Sequence, residues 1–445
     1  MTGTRPDARS VDPRDEVVTI CRDLIRIPSV NRGDGSGPGE RAAAEYVAGL
    51  LSEVGLEPEV FESAPGRASV VCRVDGADPA RDPLLVHGHL DVVPANAADW
   101  KIDPFSGEVA DGCVWGRGAV DMKDMDAMVL AVVRDRVRTG RKPARPLVLA
   151  FFADEEAGST FGARWAVDHR PDLFEGVREA VSEVGGYSIT VADDLRLYLV
   201  QAAERGIAWI RLRATGTAGH GAMVNPDNAV AKLARAMTGL GDHRWPMTLT
   251  PTVRALLTEM SGALDVPVDL TDEDSVQALV SRLGPAARVI GATLRNTLNP
   301  TQLDAGYKAN VVPGQATGVM DGRFLPGQQE EFLATVDSLL PAGVVRELVH
   351  SDIAVEQEFA GSLVDAMKSS IVQADPAARV VPYTMFGGTD GKALVRLGIA
   401  SYGFAPLQLP PDLDFTSLFH GVDERVPVES LQFGVGVLDA FLDMA

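Results

Sequence analysis

Residues 146–152, Pro-Leu-Val-Leu-Ala-Phe-Phe, are apolar at every position and run almost directly into Asp154-Glu155-Glu156. A strand that is apolar on both faces belongs inside a layered domain, covered from each side. Three adjacent carboxylates repel one another unless cations or solvent offset them. At the exit of a buried strand, solvent alone is a poor account of them. The pattern points to an α/β domain with its chemistry on loops past the carboxyl ends of parallel strands.

The neighbouring segments extend this pattern. After Asp12-Pro13, Val17, Val18, Cys21, Leu24 and Ile25 recur at helical spacing, with Pro13 placed to open the helix. A second helix is expected over 40–54, stopping at Gly55. Strands are expected at 69–74 and 84–87, and a helix at 122–138. The character changes after Glu204-Arg205-Gly206. Residues 207–214 alternate as a strand, and Asn225-Pro226 is expected to open a helix. Strands are expected at 302–308, 316–324 and 344–349, with a helix at 330–340. No assignment follows for 246–292.

At 445 residues the chain exceeds the ~250–300 at which single cores stop growing. The expected fold is therefore α/β in two domains. A discontinuous catalytic domain, 1–205 and 356–445, has a mixed, mostly parallel sheet with helices on both faces. An α+β sandwich is inserted at 206–355.

The formal charge of −21 argues against nucleic acid or an anionic membrane as partner, since both call for basic patches. No apolar run approaches the ~18 residues of a membrane span. The first ten residues are polar and unlike a secretory signal, so a cytoplasmic location is expected. Cys21, Cys72 and Cys113 are odd in number and widely spaced; they read as buried small apolar side chains. Gly-x-Ser-x-Gly, His-Glu-x-x-His and Gly-x-Gly-x-x-Gly motifs are missing, which removes the serine hydrolase, single-zinc protease and dehydrogenase readings.

Residues 84–91, Leu-Leu-Val-His-Gly-His-Leu-Asp, form an apolar strand that ends in polar groups. His89 and Asp91 face the same way on an extended chain. That suits His89 as a metal ligand with Asp91 holding its other ring nitrogen; a core histidine is the alternative. Glycines at 116 and 118 let the backbone turn and aim Asp121, which could also be a plain helix cap. Glu183 ends another apolar run, and His420 sits in a turn. Together these residues offer imidazoles and carboxylates at successive strand ends, a ligand set suited to a pair of zinc ions.

The whole pattern, from the His89 segment to the His420 segment, resembles the metallopeptidase family of aminoacylase, acetylornithine deacetylase, succinyl-diaminopimelate desuccinylase and bacterial glutamate carboxypeptidase. The resemblance implies that Asp121 bridges two metals, with His89 and Glu183 completing one site and Glu156 and His420 the other. It implies that Glu155 is the general base. It implies zinc, with cobalt or manganese as alternatives, and a homodimer made through the inserted domain. His220, between Gly219 and Gly221, matches a histidine that enters the partner's site to bind the oxyanion. Asn310 matches a polar residue near the substrate, and Arg323 an arginine for the substrate carboxylate; a structural pair with Asp321 is the other reading of Arg323. Gly388 and Thr389 match a glycine-rich substrate loop whose amides and hydroxyl could bind a carboxylate. Lys392 stands where the family often has an arginine.

The expected activity is cleavage of an amide bond in a dipeptide or short peptide beside a free carboxylate. An N-acyl amino acid deacylase is the alternative within the family, and a catalytically silent binding protein the alternative outside it.

Overall fold

The central strands divide their side chains between two cores. Leu147, Leu149 and Phe151 enter one hydrophobic cluster while Val148, Ala150 and Phe152 enter another. Leu84 and Val86 separate from Leu85 in the same way. This is the two-residue period of an extended chain, and it explains why the strand at 147–152 carries no polar residue. The computed structural model describes residues 11–192 and 195–445. The stretch 1–10, read above as unlike a secretory signal, lies outside the described residues.

The large sheet has ten strands, mostly parallel at its centre. Leu84–His89 lies between Leu147–Phe152 and Glu179–Ser182, parallel to both. Glu59–Ala64 and Arg67–Val74 form an antiparallel hairpin at one edge. Leu195–Glu204 and Ala378–Met385 run parallel on the other side. Helices Pro13–Arg26, Arg41–Glu53, Lys123–Thr139 and Val428–Met444 supply buried residues to one face. Ala163–His169 and Gly391–Leu394 cover the other. Pro13 occupies the first turn of its helix, and the Asp12 carboxylate caps it by accepting from the Arg14 amide. Cys21 and Cys72 are buried as expected, but Cys113 is only half-buried.

A second sheet orders its strands Thr297–Ala305, Gln315–Phe324, Gly206–Thr215 and Val344–Asp352, all antiparallel. Helices Ala229–Gly241 and Gln329–Leu339 pack on it around a separate core that includes Ile210, Leu233, Met320 and Phe332. Two sequence expectations need correction. The helix expected from Asn225-Pro226 begins at Ala229, because Asn228, not Asn225, accepts the capping amide of Ala231. The strand expected at 302–308 begins at Thr297 and ends at Ala305, where Gly306 turns the chain with φ +78°.

The unassigned segment holds helices Pro251–Leu264, Glu273–Val280 and Ala287–Ala292. Val253, Leu257, Val276 and Ile290 join the core of the large sheet, not that of the small one. Among the described residues no helix is long and apolar enough to cross a membrane.

Candidate active site

Three adjacent parallel strands deliver acids and an imidazole to one end of the large sheet. His89 is the last residue of Leu84–His89, Glu155 and Glu156 follow Leu147–Phe152, and Glu183 follows Glu179–Ser182. Asp121 comes from the turn before the helix Lys123–Thr139. There Gly118 has φ +90°, and a Cβ on it would stand 2.9 Å from Val92. The Asp121–Met122 peptide is cis. Asp121 does not cap the helix: the capping position is Met122, and no side chain caps it. His420, with φ +57°, arrives from the loop after Phe415–Ser417.

These side chains converge. One Asp121 oxygen lies 3.1 Å from His89 Nε2, and the other 3.1 Å from His420 Nε2. His89 Nε2 is also 3.5 Å from Glu183, and His420 Nε2 is 3.0 Å from Glu156. Asp121 thus stands between two histidine–glutamate pairs. Ligand atoms of His89, Asp121 and Glu156 lie within 4.8 Å of one another, as do those of His89, Glu155 and Glu183.

Burial raises the Glu183 carboxyl to about 8 and Glu155 well above the usual carboxylate range. Burial, then the charge of Asp121, raises Glu156. Burial opposes charge on His89 too, but Glu183 and Asp121 outweigh it and raise its pKa. Burial likewise acts against the charge of Asp121, but His420 and His89 hold its carboxyl low. Hydrogen bonds to Asp121 and Glu156 raise His420 to about 10. The cluster is short of positive charge.

The residues fit a pair of divalent ions. Two ligands about 2.0–2.1 Å from a tetrahedral ion stand roughly 3.3 Å apart, and the observed N–O separations span 3.0 to 3.5 Å. Glu156 Oε1 is buried and has no hydrogen-bond partner among the described residues, an acceptor that a cation would complete.

The role expected for the Asp91 carboxylate is corrected. The Asp91 carbonyl oxygen, not its carboxylate, lies at hydrogen-bond distance from His89 Nδ1 (2.9 Å against 3.6 Å). The carboxylate instead accepts the backbone amides of Glu155 and Glu156 at 3.0 and 3.1 Å, and Asn31 Nδ2 at 2.9 Å. Asp154 turns away from the cluster and accepts from Asn31 and the Phe161 amide. An extended chain does allow a carbonyl to meet the ring two residues back, which a reading of side-chain direction misses.

The cluster opens into a cavity of about 1030 Å³. Trp209, Val289, Phe386 and Phe419 give it apolar walls, and Arg164, Arg205, Arg288 and Arg323 line it as well. Gly388, Thr389 and Arg323 line it as expected, but two of them are already engaged. The Thr389 amide and hydroxyl donate to buried Glu204 at 2.8 and 2.9 Å, so neither is free for a substrate. Arg323 Nε and Nη2 donate to the two Asp321 oxygens at 2.7 and 3.1 Å, the structural pair.

His220 and Asn310 are not brought to the cluster of their own chain. Both are exposed, and their segments meet where Gly219 and His220 pair with Val311 and Val312. A residue pair that the sequence reading missed ties the site together. Glu424 accepts from Arg117 at 2.5 Å and from the Val120 amide at 2.8 Å, while Arg117 Nη2 donates to the Gly421 carbonyl at 2.9 Å. The turn carrying Asp121 and the loop carrying His420 are thereby joined. Two opposite charges each flanked by a candidate ligand were the available signal.

The model of peptidase family M20/M25/M40 matches residues 85–444. N-fatty-acyl-amino acid synthase/hydrolase PM20D1 of Xenopus tropicalis is 26% identical over 94% of this chain and 84% of its own length. Aminoacylase-1 of Dictyostelium discoideum is 24% identical over 97% of this chain and 98% of its own. Among solved structures, an M20 family metallo-carboxypeptidase from Sulfolobus solfataricus superposes with a TM-score of 0.71 at 17% identity. That match covers 97% of this chain and 99% of the other.

Proposed function

Because the chain belongs to peptidase family M20/M25/M40, a family of metal-dependent amide hydrolases, we propose that it cleaves the amide bond between an apolar acyl half and an amino acid with a free carboxylate. The observation that carries this reading is the Asp121-centred cluster opening into a single cavity with both apolar and arginine-lined walls. The apolar walls, and relatives named for N-acyl amino acids, favour an N-acyl amino acid substrate. A dipeptide with a bulky N-terminal residue fits the same cavity and is the second reading, supported by the carboxypeptidase fold match.

In this account His89, Asp121 and Glu183 hold one ion, and Asp121, Glu156 and His420 the other, zinc being the expected metal. When bound, such a pair supplies Lewis-acid polarisation and lowers the pKa of the attacking water. Glu155 takes the water's proton and passes it to the leaving amine. Asp91 keeps Glu155 aimed by accepting its backbone amide. His220 of a second copy donates to the developing oxyanion. Exposed Met223 and Val224 beside His220, and exposed Leu303 and Tyr307, support a homodimer through the inserted region. The net charge of −21 speaks against a nucleic acid or anionic membrane partner.

The test is turnover by metal-loaded protein on paired N-acyl amino acids and dipeptides, with and without chelator. Silence across that panel would remove the hydrolase reading of this site.

A further inference from the structure

Part of the cavity wall comes from the segment that local pattern left unassigned. Arg288, Val289 and Ala292 of the helix Ala287–Ala292 line the cavity. They stand at i, i+1 and i+4, one side of a helical turn, whereas Ile290 faces the other way and is fully buried in the core of the large sheet. A helix of six residues does not hold itself in water. Leu256 and Met260 of Pro251–Leu264 and Leu279 of Glu273–Val280 join the same core, so the segment is fastened to the large sheet and carries the short helix to the cavity.

The small sheet presents one of its faces to the same cavity. Thr297, Arg323 and Ile207 stand side by side on three strands, and Asn299, Asp321 and Trp209 form the next row. Ala208, Ile210 and Leu298 point the opposite way, into the small core. Trp209 is 43% exposed, and its ring lies 5.0 Å from that of His350, which also lines the cavity. Arg205 joins the first row: its Nη2 donates to Thr297 Oγ1 at 2.6 Å and to the Arg323 carbonyl at 3.0 Å. The cationic row is therefore flanked by apolar surface, Trp209 one row on and the helix just before Thr297 in the chain.

The carboxylate and the side chain of an amino acid leave the same carbon, so whichever cation the carboxylate meets, the side chain lies a few ångströms away. The acids on this wall are engaged: Asp321 by Arg323, and Asp352 by Arg164 at 2.8 Å. A basic side chain finds no free partner there. Arg288 is exposed and keeps its head group in water.

We infer that Val289, Ala292 and Trp209 form the pocket for the side chain of the substrate's amino-acid half, and that the pocket selects large apolar side chains. This rests on the proposed amide hydrolase reading. Phe386 and Phe419, the latter next to His420, remain as apolar wall for the acyl half.

The experiment measures kcat/KM of metal-loaded protein on N-octanoyl conjugates of glycine, leucine, phenylalanine, aspartate and lysine, and on leucine carrying acetyl, butanoyl or octanoyl groups. The leucine and phenylalanine conjugates are expected to exceed the other three about 10- to 100-fold. Ala292→Phe, which fills the pocket, is expected to lower the leucine-to-glycine ratio about 10-fold and to keep the order of the acyl series. Trp209→Ala, which removes apolar wall, is expected to lower the same ratio, and it carries the test if Ala292→Phe does not fold. A preference for aspartate, which would point to Arg288, would overturn the assignment. So would turnover without side-chain preference, a ratio that neither variant changes, or an effect on the acyl series in place of the amino-acid series. No turnover by protein that has bound two ions would sink the hydrolase reading alone; calorimetric binding of the same conjugates, read as the same ratios, then decides the pocket.

Discussion

The Asp91 carboxylate accepts the backbone amide of Glu155 at 3.0 Å, so the segment that carries His89 also aims the neighbouring acids. The second Asp91 oxygen takes the Glu156 amide. Asp91→Asn would set an amide donor against one of these N–H groups. We expect a 10- to 100-fold loss in kcat or metal affinity, the usual range for residues that orient ligands. The His89 ring, held by the Asp91 carbonyl, should keep its place. Unchanged kcat and metal content in Asp91→Asn would count against this role.

Glu155→Gln is expected to bind metal normally and lose about 10²–10⁴-fold in turnover, the range for a missing proton-transfer group. Metal content by elemental analysis alongside kcat separates loss of the base from loss of a ligand. If the variant loses an ion as well, Glu155 belongs among the ligands, as its closeness to His89 and Glu183 allows.

His220 is exposed in its own chain, so the dimer account makes a sharp demand. His220→Ala and Glu155→Gln proteins, each nearly inactive, should recover activity when mixed under subunit exchange, because one of the two sites in a mixed dimer is intact. Verified mixed dimers with no recovery would place His220 outside the chemistry.

Removing Glu424 would leave Arg117 buried without its partner and release the His420 loop from the Asp121 turn. Breaking a buried pair in this way costs about 3–5 kcal/mol. Glu424→Ala should lower stability by that order and reduce ion binding from two to one per chain, seen by titration with zinc. Retention of two ions at unchanged affinity would show that the pair does not position the ligands.

Asp375 provides a pH signature remote from the site. Arg196, and then Tyr198 and Gln408, outweigh burial and hold its carboxyl at about 2, against 3.8 ordinarily. A lowered folded pKa means stability that is present above the unfolded value and lost as pH falls through about 2. Asp375→Asn should cost about 2 kcal/mol at neutral pH, with the deficit roughly halved by pH 3. Urea midpoints at the two pH values check this; a deficit that does not shrink would assign the effect to packing.

How much could be read from the chain alone follows the range of the interactions. The helix opened by Pro13, the stop at Gly55 and the strand at 147–152 depend on neighbours a few residues away, and each stands where local pattern puts it. His89 and Glu183 were legible because each stands at the end of an apolar strand, whereas Asp121, in a turn, and His420, in a loop, took their expected roles from the family resemblance. Local pattern failed where a distant partner decides. Thr389 looked free until Glu204, 185 residues earlier, occupied both its donors. The helices between Pro251 and Ala292 are held by the core of the large sheet, a partner distant in sequence that local pattern does not reveal.

The account stands most directly on one measurement: product formation by metal-loaded protein on N-acyl amino acids and dipeptides, each with its carboxamide counterpart, with and without chelator. Chelator-sensitive cleavage of substrates with a free carboxylate, and little cleavage of their carboxamides, is the expected result. No cleavage of any compound by protein that has bound two ions would contradict it.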